Sequence, residues 1–131
     1  MRDRHAFDYA VVRVVPRVER GEFLNAGVIV YCSTLGYLEA RIELDSQRLM
    51  ALAPAIDLAL VESHLAAIPR VCEGGSEAGE IGGLPQRARF HWLVAPRSTV
   101  LQVSDVHSGV HHDPRAALDA LFEKLVRTRS A

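Results

Sequence analysis

The sequence predicts a single α+β domain, with a small antiparallel sheet of three to four strands and helices packed on one face. Three observations predict it. Three strand-like runs stand together in the first third of the chain, the middle is mostly helical, and one more strand and a capped helix close it. Strands and helices segregated in this way, not alternating, favour an antiparallel sheet with its own helical layer. At 131 residues the chain has the length of one domain. A chain of that size buries roughly two thirds of its unfolded surface, so it folds without metal or disulfide.

The first strand is "DYAVVRVVP" (8–16), Val-rich and ended by a proline. Its period of two puts Tyr9, Val11, Arg13 and Val15 on one face and Ala10, Val12 and Val14 on the other. "AGVIVYCS" (26–33) is almost wholly apolar, as expected of a central strand covered on both faces. "YLEARIEL" (37–44) alternates, with Leu38, Ala40, Ile42 and Leu44 inward. The short "STLG" between these two runs predicts an antiparallel hairpin.

Asp45 caps a short helix over 46–54 that stops at Pro54, and an amphipathic helix follows over 55–68. Pro69 is expected to kink or end it. "EGGSEAGEIGG" (73–83) holds five Gly and three Glu and is expected to be a mobile loop that buries no apolar area. "PQRARFHWLVA" (85–95) alternates like a strand at Phe90, Trp92 and Val94, yet Pro85 suits a helix start, and a short helix is favoured. "TVLQVS" (99–104) is a strand. Asp113 and Pro114 then open a helix over 114–127, with Leu118, Leu121, Phe122, Leu125 and Val126 in one stripe.

Composition narrows the function. The formal net charge is −1, which argues against non-specific nucleic-acid binding, where many phosphates must be neutralised. No apolar run approaches a membrane span, and the N-terminus lacks the apolar segment of a secretory signal. Cys32 and Cys72 have no CxxC spacing and read as small buried hydrophobes, which fits a reducing cytoplasm. No cofactor signature is present: "EGGSEAGEIGG" has the glycines of a phosphate loop without a preceding strand or GK[ST]. In "DVHSGVHHD" (105–113) three histidines and two aspartates crowd together. Gly109 interrupts any helix that would align His107 with His111, so a polar loop is expected and no metal site. Neither a GxSxG nor an exposed Cys offers a nucleophile.

What remains is a set of polar residues in unusual places. Arg13 interrupts a valine strand, and a charge there must be paired or lie at an edge. Glu22 and Asn25 follow in and after the polar link, and Arg97, Ser98, Gln102 and His107 bracket the later strand. If the two strands are neighbours, these seven residues converge. The result is either a structural network or a pocket sized for an anion or nucleotide.

Taken together, Tyr9, Arg13, Pro16, Glu22, Asn25, Gly27, Val28, then Arg97, Ser98, Thr99, Gln102, His107 and Gly109 form a pattern over nearly the whole chain. It resembles an uncharacterised bacterial family catalogued as domain of unknown function 3037. The resemblance implies no activity. It does imply a partner, since such chains are often encoded beside a HipA-like kinase, and hence an antitoxin-like accessory role. Two expectations therefore stand: a non-enzymatic protein that binds such a kinase, or a small enzyme or sensor for a phosphorylated or nucleotide ligand.

Overall fold

The computed structural model describes residues 3–97 and 99–127. Among these residues five strands form one antiparallel sheet. They are β1 (His5–Val14), β2 (Leu24–Cys32), β3 (Tyr37–Ile42), β4 (Leu101–Val103) and β5 (His107–His111). The order is β3-β2-β1-β4, and β5 pairs with the first half of β1. The α+β class is as the sequence predicts, with more strands than the three to four expected. The hairpin of β2 and β3 forms in the register Gly27↔Ile42 to Cys32↔Tyr37.

The extra strand comes from the His-rich stretch expected to be a loop. His107–His111 pair in register with His5–Tyr9, and this also starts β1 earlier than its apolar pattern does. Gly109 is what permits it. A Cβ there would stand 2.5 Å from Cζ of Phe7, so the glycine leaves the space that the phenyl ring occupies. An edge strand exposed on both faces has no apolar alternation to betray it.

The helices are α1 (Ser46–Leu52), α2 (Leu58–Glu73), α3 (Gln86–Val94) and α4 (Pro114–Leu125). Their starts follow local chemistry. Asp45, Asp57 and Asp113 accept hydrogen bonds from the amides of Arg48, Leu60 and Arg115, satisfying donors that the first turn leaves free. Pro69 does not end α2. The lost amide costs a bond, but Val71 and Cys72 beyond it are buried, and Arg89 Nη1 donates to both their carbonyls, at 2.9 and 2.6 Å. The glycine-rich stretch is folded as well. Two 3-10 turns, Ser76–Ala78 and Ile81–Gly83, are tied by the Gly75 amide to the Gly82 carbonyl at 2.9 Å, and Ala78 and Ile81 pack on the core. It buries apolar area after all.

Helices cover both faces, not one. Val12, Val14, Ile29 and Tyr31 meet Leu49, Val61, Leu65 and Phe90 of α1, α2 and α3. On the opposite face Val28, Val30 and Cys32 meet Ala117, Leu118 and Phe122 of α4. The apolar run of β2 demands this, because both of its faces are oily. A bulge lets one strand serve both layers. The register shifts between Val12↔Gly27 and Arg13↔Asn25, leaving Ala26 unpaired, so Leu24 and Ala26 share a face with Ile29. Gly27 sits at this point, where a Cβ would collide with the Ile42 side chain and lie 2.8 Å from the Arg41 carbonyl.

No helix among the described residues is long and apolar enough to cross a membrane. Both cysteines are buried, and burial pushes the Cys72 thiol up to about 12.

Two outcomes test this packing. Gly27→Ala is expected to cost about 1–3 kcal/mol in chemical denaturation, the usual penalty of overpacking against backbone. Gly83→Ala, where a Cβ meets nothing within 4 Å, is the control and changes stability by less than about 0.5 kcal/mol. An aromatic disulfide reagent at pH 8 is expected to leave both thiols of the folded protein unmodified and to titrate both after unfolding.

Candidate functional site

β1 alternates, so Val12 and Val14 enter the core while Arg13 projects to the α4 side. Its cross-strand partners are Asn25 on β2 and Gln102 on β4, which makes a polar row across three strands. Arg13 lies over the Phe23 ring at 4.3 Å, and its Nε is buried with no hydrogen-bond partner among the described residues. No carboxylate among the described residues forms an ion pair with it. Asn25 Nδ2 donates to the Leu125 carbonyl at the end of α4 at 3.0 Å, and its buried Oδ1 has no partner among the described residues. Gln102 Nε2 turns back to the Thr99 carbonyl at 3.2 Å.

The other expected members stand apart. Glu22 pairs with Arg20 at 2.5 Å, and that guanidinium holds its carboxyl below the usual range. His107 lies opposite Tyr9 with ring centroids 5.3 Å apart, four residues up β1 from Arg13, or about 13 Å along a strand. Ser98 lies outside the described residues. His111 Nδ1 accepts from the Asp113 amide at 2.9 Å and its ring stacks on His112 at 4.5 Å. Among the described residues no three His, Cys, Asp or Glu side chains are grouped to hold a metal ion.

Arg97 has a different setting again. It donates to the carbonyls of Leu93 at 3.3 Å and Trp92 at 2.6 Å, and its guanidinium lies 4.5 Å from the Trp92 ring. A cation at the carbonyl end of a helix is favoured by the dipole, and the stacked indole fixes its plane. Arg97 is thus held rigidly at the end of α3, with donors left over, since a guanidinium presents five. It faces a cleft of about 360 Å³ between α2, α3 and β4. The floor is apolar, from Val12, Ile68, Val71, Leu93, Leu101 and Val103, and the rim carries His64, Arg70, Trp92, Arg97, Thr99 and Gln102. No Asp or Glu lines it among the described residues, and Arg13 does not reach it.

The structure therefore divides the expected cluster. Arg13, Asn25 and Gln102 form the row, Arg97 and Gln102 line the cleft, and Glu22 and His107 belong to neither. The contribution of α2, His64 and Arg70, went unforeseen. Both are ordinary exposed positions on an amphipathic helix, and only the tertiary packing brings them over β4.

A family model described as "Protein of unknown function (DUF3037)" matches residues 9–126. The chain belongs to the DUF3037 family. The match runs from Tyr9 in β1 to Val126 just beyond α4, so the sheet core, the polar row and the cleft all fall within the DUF3037 region. No curated protein and no solved structure matches the chain.

The row has a measurable consequence. A buried donor without a partner costs about 1–3 kcal/mol. Arg13→Met keeps the apolar stem over Phe23 and removes that donor, so stability in urea is expected to be unchanged or higher. A loss of more than about 2 kcal/mol would mark Arg13 as a structural tie, of the kind whose removal leaves a buried partner uncompensated.

Proposed function

We propose that this chain is a binding module that recognises an anionic group carried on an apolar body, in the cleft between α2, α3 and β4. The observation that carries this reading is the lining itself. The guanidiniums of Arg70 and Arg97 and the His64 imidazole line a cleft with an apolar floor, and no Asp or Glu lines it among the described residues. Arg97 is oriented before any ligand arrives, so little side-chain entropy is lost on binding. The bearer of the anion is read as a protein partner, which makes the chain a non-enzymatic accessory. The HipA-like kinase implied by the family resemblance is the first partner to try. A cleft of about 360 Å³ also lies within the usual range for small-molecule sites, which favours a phosphorylated small ligand as the second reading.

Trp92 is the only tryptophan and lies on the rim, so its emission reports occupancy. Titration with phenyl phosphate or phenylacetate is expected to change that emission saturably. Added salt should weaken the response, because the attraction is partly exposed and screened. Arg97→Lys, which keeps the charge but loses the planar fork, and the exposed Arg70→Gln are each expected to weaken binding about fivefold or more. No saturable response to either compound in the unmodified protein would overturn the reading.

A further inference from the structure

The cleft opens beside an unfinished sheet edge. β4 is the last strand on its side. In an antiparallel ladder the bonded pairs alternate. The Val15 amide donates to the Val100 carbonyl at 2.7 Å and the Ser104 amide to the Val11 carbonyl at 2.9 Å, so the bonded pair between them is Arg13 with Gln102. Leu101 and Val103 consequently direct their backbone groups away from β1. The Leu101 carbonyl is taken by Thr99 Oγ1 at 2.8 Å. Among the described residues, that leaves the amides of Leu101 and Val103 and the Val103 carbonyl on the outer edge with no backbone partner, and the side chains of the same two residues form the cleft floor.

We propose that the occupant is an extended acidic segment of a partner protein that adds as a strand to the outer edge of β4. This rests on the cleft being an anion site, as proposed above. Strand addition supplies main-chain hydrogen bonds, and every second side chain of the added strand faces the cleft. An apolar residue there meets Leu101, Val103 and Ile68, and an acidic residue two positions away meets Arg97 or Arg70. Charge decides between occupants. A second copy of this chain, paired edge to edge about a two-fold axis, would set one cationic cleft against another, since such an interface places the same patch on both sides. A carboxylate-bearing strand meets complementary charge and fills both the edge and the floor.

The experiment selects random linear peptides displayed on phage against the full chain, followed by synthesis of the enriched sequences. Enriched peptides are expected to carry an acidic and an apolar residue two positions apart and to shift Trp92 emission. N-methylation of alternate amides in the register that faces β4 is expected to weaken binding about tenfold or more, and in the other register by less than about threefold. Val103→Pro removes one outer amide at an edge where proline is tolerated, and it should weaken the unmodified peptides about as much as N-methylation in the facing register does. Should that variant fail to fold, the N-methylated peptides still decide. Equal losses in both registers would overturn strand addition. So would an absence of enriched peptides while phenylacetate still titrates Trp92, and that result leaves the anion site standing. Absence of both responses removes the anion site as well. A free protein that sediments as a dimer dissociated by Val103→Pro would assign the edge to a second copy and overturn the proposal.

Discussion

The rest of the structure depends on how β1 is shared. One side of this ten-residue strand is filled by β2, and the other is divided between β5 and β4, of five and three residues. Ser104 sits at the break between them and mends it. It is buried, and its hydroxyl accepts from the Val11 amide at 2.9 Å and donates to the Asp105 carbonyl at 2.9 Å. One hydroxyl thus takes the place of a ladder bond where the chain changes direction. β4 brings only three residues to that side, and the space between it, α2 and α3 is the cleft. A longer fourth strand carrying its own core residues would close that space.

The second constraint is that a single strand must face two layers. β2 carries apolar side chains in both directions, and the bulge at Ala26 moves the parity so that Leu24 stays with Ile29 under α1 to α3. The same shift turns Asn25 toward the end of α4, where it clamps the Leu125 carbonyl at 3.0 Å. The polar row is therefore a by-product of a packing device. Asn25 ties α4 to the sheet, while the orphaned Nε of Arg13 and Oδ1 of Asn25 remain as local costs.

Much of the fold was legible because it follows local rules. The hairpin of β2 and β3, the aspartate caps of α1 and α4 and the apolar stripe of α4 each depend on residues close in sequence. β5 was not legible, since an exposed edge strand is held by main-chain pairing that any sequence with the right glycine can make. The continuation of α2 past Pro69 was hidden because the compensating group, Arg89, lies on another helix. The site was half legible. A guanidinium in a valine strand announces itself, and Arg13 is as unusual as the sequence suggests. Arg97 was visible as a charge beside a strand, but its cap on α3 depends on Trp92 and Leu93 being helical, where the alternation of Phe90, Trp92 and Val94 also resembles a strand. His64 and Arg70 had no signal beyond being polar on an amphipathic helix.

The open edge above the cationic cleft can be tested in the free protein without any ligand. Amide hydrogen exchange resolved by residue should separate three neighbours on β4. Gln102, whose amide is bonded to Arg13, is expected to exchange slowly. Leu101 and Val103, whose amides face outward, are expected to exchange faster by orders of magnitude although they lie in the same strand. Equal protection of all three would mean that the edge of β4 is already covered, and would contradict the reading of this cleft as a place where another chain docks.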